Sequence, residues 1–178
     1  GIELSGDDGR ITNSGTISST LYSGISVEYS ETGDNTVINS GDIDAGERGI
    51  SLSGDHSDIT NAEDGDIDSD EEGIYVAGDQ ATVVNHGEID SEDEGDSENR
   101  DGISILGDDA NVTHGGDIDA DSEGIQVAGD DAKVKIEDEG GVSAGAEAVD
   151  VVGDGASISN SGTLTSSDDD GISLTGDD

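Results

Sequence analysis

Carboxylates are the one chemically able group that this sequence supplies in number: 46 Asp and Glu against five Lys and Arg, for a net charge of −41. Many recur as alternating sets around a single aliphatic residue. Asp66, Asp68 and Asp70 flank Ile67; Glu88, Asp90 and Glu92 flank Ile89; Asp117, Asp119 and Asp121 flank Ile118; Asp42 and Asp44 flank Ile43. If each Ile points inward along a strand, alternation turns its acidic neighbours outward. Stacked strands would then carry a carboxylate grid with about 4.8 Å between strands and about 7 Å along each one. Each nearest pair repels by about 1 kcal/mol even in water, so the grid calls for counterions. Hard oxygen ligands at these spacings suit Ca²⁺, with Na⁺ or K⁺ as weaker occupants.

A second acidic pattern lies in DSEDEGDSENRD, residues 90–101. Asp90, Glu92, Glu94, Gly95 and Asp101 fall at positions 1, 3, 5, 6 and 12 of a calcium loop, but the last ligand is Asp and no flanking helices are expected. The expected cation ligands are therefore Asp66, Asp68, Asp70, Glu88, Asp90, Glu92, Glu94, Asp101, Asp117, Asp119 and Asp121. The competing reading is a solvated acidic surface in molar salt, where charges are screened within about 3 Å. Asp exceeds Glu by 31 to 15 and Lys is nearly absent, which suits that halophilic reading.

Other chemistries find less support. Five basic residues cannot neutralise a phosphate track, which excludes nucleic acid as an expected partner. Without Cys there is no disulfide, thiol nucleophile or thiolate metal site. No apolar run approaches the ~20 residues of a membrane span. Paired carboxylates could serve glycoside hydrolysis, but they occur almost everywhere and no aromatic platform accompanies them. Arg10, Arg48, Arg100, Lys133 and Lys135 are all expected outside the acidic grid, and His56, His86 and His114 in solvated turns. No enzymatic activity is expected, and no cofactor beyond cations.

The elements that would position the grid emerge from an internal repeat. The chain divides at a recurring Gly-Ile into units 1–23, 24–48, 49–72, 73–101, 102–123, 124–147 and 148–170, with a partial unit 171–178. Each reads roughly GI-x-V-x-GD-x-x-x-(I/V)-x-N-x-G-x-I followed by a variable polar run. Three short period-2 stretches per unit predict strands, and a helical period never occurs. Ile and Val make 30 of the 36 large aliphatics, and Pro is absent, as a ladder paired on both sides requires. One unit buries almost nothing, whereas stacked units align four aliphatic columns. The expected fold is all-β: a parallel β-helix, or β-solenoid, of about eight rungs in one domain. Gly-Asp after the first strand predicts a tight turn in which Asp bonds its own backbone. Asn13, Asn39, Asn61, Asn85 and Asn160 predict a second turn that exploits Asn's tolerance of the left-handed conformation.

Units such as GISLSGDHSDITNAEDGDI and the segment ITNSGTI resemble the repeats of secreted right-handed β-helix proteins of the autotransporter-passenger and adhesin type. The resemblance spans the whole chain, implies a right-handed coil, and brings no catalytic residue with it. Its implication is an extracellular structural or adhesive solenoid within a surface filament, stalk or fibre. A viral tail-spike or polysaccharide-processing β-helix is the alternative. The chain opens at a rung start and stops in mid-rung without a capping element, so self-association end to end, or laterally through cations, is the expected partnership.

Overall fold

The computed structural model describes residues 1–28, 33–92 and 99–177. All of its regular structure is β, in three parallel sheets of eight, seven and seven strands. The first sheet stacks Ile2–Ser5, Ile25–Glu28, Ile50–Ser53, Ile74–Ala77, Ile103–Leu106, Ile125–Ala128, Val149–Val152 and Ile172–Thr175. The second stacks Arg10–Asn13, Thr36–Asn39, Asp58–Asn61, Thr82–Asn85, Asn111–His114, Lys133–Ile136 and Ser157–Asn160. The third stacks Thr16–Ser19, Asp42–Ala45, Asp66–Ser69, Glu88–Ser91, Asp117–Ala120, Gly141–Ala144 and Thr163–Ser166. Each of the seven full rungs contributes one strand to each sheet and the partial last one adds Ile172–Thr175 to the first, which is the β-solenoid the repeat predicts.

Four-residue strands bury little alone, so stability comes from columns. Ile50, Ile74, Ile103 and Ile125 stack in one, and Leu52, Val76, Ile105 and Val127 in the next. Val37, Ile59, Val83, Val112 and Val134 form the third, and Ile43, Ile67, Ile89, Ile118 and Val142 the fourth. All of these are buried in one continuous core, which removes their apolar surface from water. At the other inward position of the third sheet only small residues fit: Ala45, Ser69, Ser91, Ala120 and Ala144.

The Gly of the Gly-Ile step has a steric cause. A methyl group at Gly49, Gly73 or Gly102 would collide with Cγ2 of Ile67, Ile89 or Ile118, and would lie 2.6–2.7 Å from the carbonyl oxygen of the next rung's glycine. In the seventh rung this position is Ala148, and the matching third-sheet residue is Leu164, which has no Cγ2. The two departures from the repeat compensate each other.

The Gly-Asp turn relies on positive φ at Gly as expected, but its Asp acts differently. Gly6, Gly54, Gly78 and Gly107 adopt φ of 121°, 143°, 155° and 157°, and the residue two beyond is left-handed, as at His56 (54°) and Gln80 (60°). The Asp between them does not cap its own rung. Its carboxylate accepts the amide of the stacked Asp: Asp79 N–H to Asp55 Oδ1 (3.0 Å), Asp108 to Asp79 (2.9 Å), Asp130 to Asp108 (2.9 Å), Asp154 to Asp130 (2.8 Å) and Asp177 to Asp154 (2.7 Å).

The Asn column also corrects the expectation. None of these residues has positive φ. Asn13, Asn39, Asn61 and Asn85 end second-sheet strands with buried side chains that form a ladder. Each Nδ2 donates to the next Oδ1, at 2.8, 2.9 and 2.8 Å. Amides suit stacking because each carries both a donor and an acceptor. His114 continues the ladder, and so is not a solvated turn residue: it is fully buried, and its Nδ1 accepts from Asn85 Nδ2 at 3.1 Å. Its Nε2–H donates to the Gly141 carbonyl at 2.9 Å. These partners select the neutral ring, and burial lowers its affinity for a proton.

Two predictions follow from the packing. Gly73→Ala should destabilise by about 1–3 kcal/mol, as overpacking does, and adding Ile89→Leu should recover part of that loss; urea unfolding of the two variants checks it. Because the folded His114 binds its proton more weakly than the unfolded chain, its contribution is complete above about pH 6.5 and is lost as pH falls through its depressed folded value. His114→Asn should abolish that part of the acid sensitivity, read as midpoint temperature against pH.

Candidate cation-binding face and charged corner

The third sheet's outward positions build the grid that alternation predicts. Register stacks Asp42, Asp66, Glu88 and Asp117 in one column, and Asp44, Asp68, Asp90 and Asp119 in the other. Before them stand Thr16 and Ser18, whose hydroxyls donate to Asp42 Oδ2 (3.1 Å) and Asp44 Oδ2 (3.3 Å). After them come Gly141 and Ser143, then Thr163 and Thr165. The acidic array is thus four rungs long, with uncharged rungs on either side.

Mutual repulsion shows at Asp68 and Asp90 in the second of these columns. Asp68 holds its proton more tightly than an ordinary Asp, first because of partial burial and then because of Asp90 and Asp44. Asp90 shifts upward for the same first reason and through Asp119, while the Glu92 amide donating at 3.2 Å opposes the shift. Glu92 is raised chiefly by the charge of Asp119. A cation against this column would relieve all three.

The remaining predicted ligands divide. Asp70, Glu92 and Asp121 lie exposed just past their strands, at the edge of the grid. Glu94 and Gly95 lie outside the described residues. Arg100 does reach the grid, contrary to expectation: Nη1 meets Asp121 Oδ2 at 2.8 Å. Its carbonyl accepts the Ser122 amide (3.2 Å) and the Ser91 hydroxyl (3.3 Å), so this end of the long fourth unit is tied back to the third sheet. Among the described residues, no group of three or more His, Asp or Glu side chains is gathered so as to hold a metal ion. The grid is an open array in which neighbouring columns and rungs could share cations; it is not a cage.

Asp101 sits elsewhere. It is 4% exposed, at the corner that leads into the first sheet. There the residue before each Gly-Ile stacks on its equivalent: Arg48, Glu72, Asp101, Glu123 and Glu147 in order, each of the last four accepting the glycine amide of the preceding rung through its carbonyl at 2.9–3.1 Å. Two neighbouring pairs of these side chains interact, Arg48 with Glu72 and Asp101 with Glu123. Arg48 clasps Glu72 with two bonds, Nε at 2.8 Å and Nη2 at 3.3 Å, and its guanidinium lies 3.9 Å from the centre of the Tyr75 ring. Burial opposes the Arg48 charge, but Glu72 outweighs it and the guanidinium is held more firmly protonated.

One rung on, Asp101 is pushed up to about 7, first by burial and then by its hydrogen bond to Glu123 and that group's charge. Glu123 moves down despite burial, because Asp101 and the Ser122 hydroxyl, at 2.5 Å, both donate to it. The Glu123 amide in turn donates to Asp101 Oδ1 at 3.2 Å. Below about pH 7 the proton resides on Asp101, and the pair then buries one negative charge instead of two. Aligning the units would reveal this column, since Arg and acids fill the same repeat position; reading residues 90–101 as a linear loop conceals it.

Elsewhere, an open groove of about 1000 Å³ runs past His86, Glu88, Gly116, Asp117 and Glu137. Within it Glu137 accepts from Lys135 Nζ at 2.7 Å and lies 3.4 Å from His86 Nε2. His56 is exposed, 4.0 Å from Asp34. No protein-family profile, curated protein or solved structure matches the chain. No helix among the described residues is long and apolar enough to cross a membrane.

Asp101 binds its proton more tightly folded than unfolded. Its stabilisation is complete below about pH 3.8 and is lost as pH rises through about 7. Asp101→Asn reproduces the protonated acid's donor and acceptor. Its stability relative to the unsubstituted chain should therefore rise from about pH 4 to about pH 7 and level off above about pH 8, measured by denaturant unfolding.

Proposed function

We propose that this chain is a non-enzymatic structural or adhesive solenoid of the cell exterior, part of a surface filament or stalk, with an acidic face bridged by cations. The observation that carries the reading is the pair of unbroken carboxylate columns from Asp42 to Asp117 and from Asp44 to Asp119, on one flat side of a rod. Eight carboxylates repeat there at the pitch of the backbone, and Asp68 and Asp90 hold their protons more tightly than ordinary Asp residues. Divalent cations, Ca²⁺ above all, would offset that repulsion and could be shared between two rods or between a rod and an anionic surface. The fold supports the mechanical part of the reading. Parallel ladders run the full length of the described rod, and any further rung, from this chain or another, could pair by the same register. The likeness of the repeats to autotransporter-type adhesins supports the extracellular placement, and the acid-rich composition suits a salt-rich one.

Asp68→Asn, Asp90→Asn and Asp119→Asn together remove the centre of the array without touching the core. The triple variant should keep its β-sheet circular dichroism and need several-fold more calcium to scatter light as bundles. Unchanged calcium dependence would refute the cation-bridging role.

A further inference from the structure

We propose that the outer face of the second sheet is a docking surface for the acidic third-sheet face of a second copy of this chain. The inference rests on reading the molecule as a rod that associates laterally, and it specifies which faces meet. Each of the seven second-sheet strands turns two side chains outward, giving fourteen positions. One of them, Asp58, is acidic, and three, Arg10, Lys133 and Lys135, are basic. In a chain with 46 acids and five Lys and Arg, this face therefore holds most of the Lys and Arg and almost none of the acid. The other ten positions are Thr, Ser, Asn, Ile38 and Val84, short or β-branched side chains that make a flat surface. The third-sheet face is the converse: eight of its fourteen outward positions are acidic and none is basic.

For a molecule of charge −41, almost any approach of two copies sets acid against acid. Of the three sheet faces, the second against the third is the pairing that sets bases opposite an acidic array, since the first-sheet face carries Glu3, Glu28 and Asp150 and no base; complementary potentials of this kind select partner and register. Spacing agrees with charge. Lys133 and Lys135 flank Val134 by the same two-residue step that separates Asp117 from Asp119, Glu88 from Asp90, Asp66 from Asp68 and Asp42 from Asp44. Both faces also belong to one stack and share its axial repeat, so a copy seated on one acid pair stays in step along the rod. The Lys135 amine already meets Glu137 at 2.7 Å, but that pair is exposed and readily shared. Because two unlike faces meet, a pair of copies retains one unoccupied face of each kind, one on each copy, and the contact propagates instead of closing on itself.

The test mixes light and isotopically heavy full chains without calcium, at about 0.5 M KCl, where the Debye length is roughly 4 Å, and applies a zero-length carbodiimide cross-linker. Light–heavy cross-links should join Lys133 or Lys135 of one copy to third-sheet acids of the other. Lys133→Glu with Lys135→Glu should cut their yield at least tenfold and lower the mass seen by sedimentation. Mixing that variant with Asp117→Lys plus Asp119→Lys should create new cross-links between positions 133/135 of one and 117/119 of the other. All substitutions are on exposed positions, and circular dichroism confirms folding. A chain that stays monomeric, an assembly indifferent to the lysine reversal, or cross-links confined to turns would overturn the proposal. Calcium-driven bundling distinguishes the two readings: it should survive the lysine reversal and need several-fold more calcium in the Asp68, Asp90, Asp119 variant. If the lysine reversal changes nothing while that dependence holds, only the docking inference falls.

Discussion

Every other feature of this molecule depends on strict vertical register. Parallel pairing places each side chain directly over its equivalent about 4.8 Å away, so the choice made at one repeat position is multiplied down the rod. Some residue types gain from meeting themselves. Ile and Val interlock, and an Asn amide donates to one neighbour while accepting from the other. The turn Asp survives the same test because its carboxylate meets a backbone N–H and not another carboxylate. Outward Asp and Glu gain nothing from self-stacking, and they are tolerated where water and ions reach them.

Much of this was legible because it is periodic. The Gly-Ile step, the alternation around Ile67, Ile89 and Ile118, and the absence of Pro were enough to predict the solenoid and to place two of the three carboxylates in each set on one face. What escaped was governed by column and not by residue type. Asn61 has the character of a turn former, yet its amide points inward because the ladder satisfies it on both sides. His114 is polar and follows a strand, which suggests solvent; its column position makes it an Asn surrogate. Asp101 fits a calcium spacing along the chain, but the length of the fourth unit obscures its alignment with Arg48 and Glu72. Arg100 reaches Asp121 by a path that no linear pattern specifies.

Charge is sorted as strictly as bulk. The core is apolar apart from the neutral amide–imidazole ladder and a few small or uncharged polar side chains such as Ser69 and Ser91, and the corner before the first sheet pairs Arg48 with Glu72 and settles a proton between Asp101 and Glu123. Acids crowd the turns and the third sheet, while the second sheet is nearly cleared of them. A rod with unlike sides can be recognised from a given direction, which a uniformly acidic cylinder could not be.

The repeat length also stores hidden length. Each rung advances the rod by only about 4.8 Å, yet it holds some two dozen residues that would span roughly 80 Å when drawn straight. Tension along the axis meets the interstrand bonds one rung at a time, with no topology tying distant rungs together. An end rung that peeled away would lengthen the molecule many-fold over its folded contribution while its neighbours kept their ladders. Such a rod would yield in steps under a sudden pull and dissipate the load rung by rung.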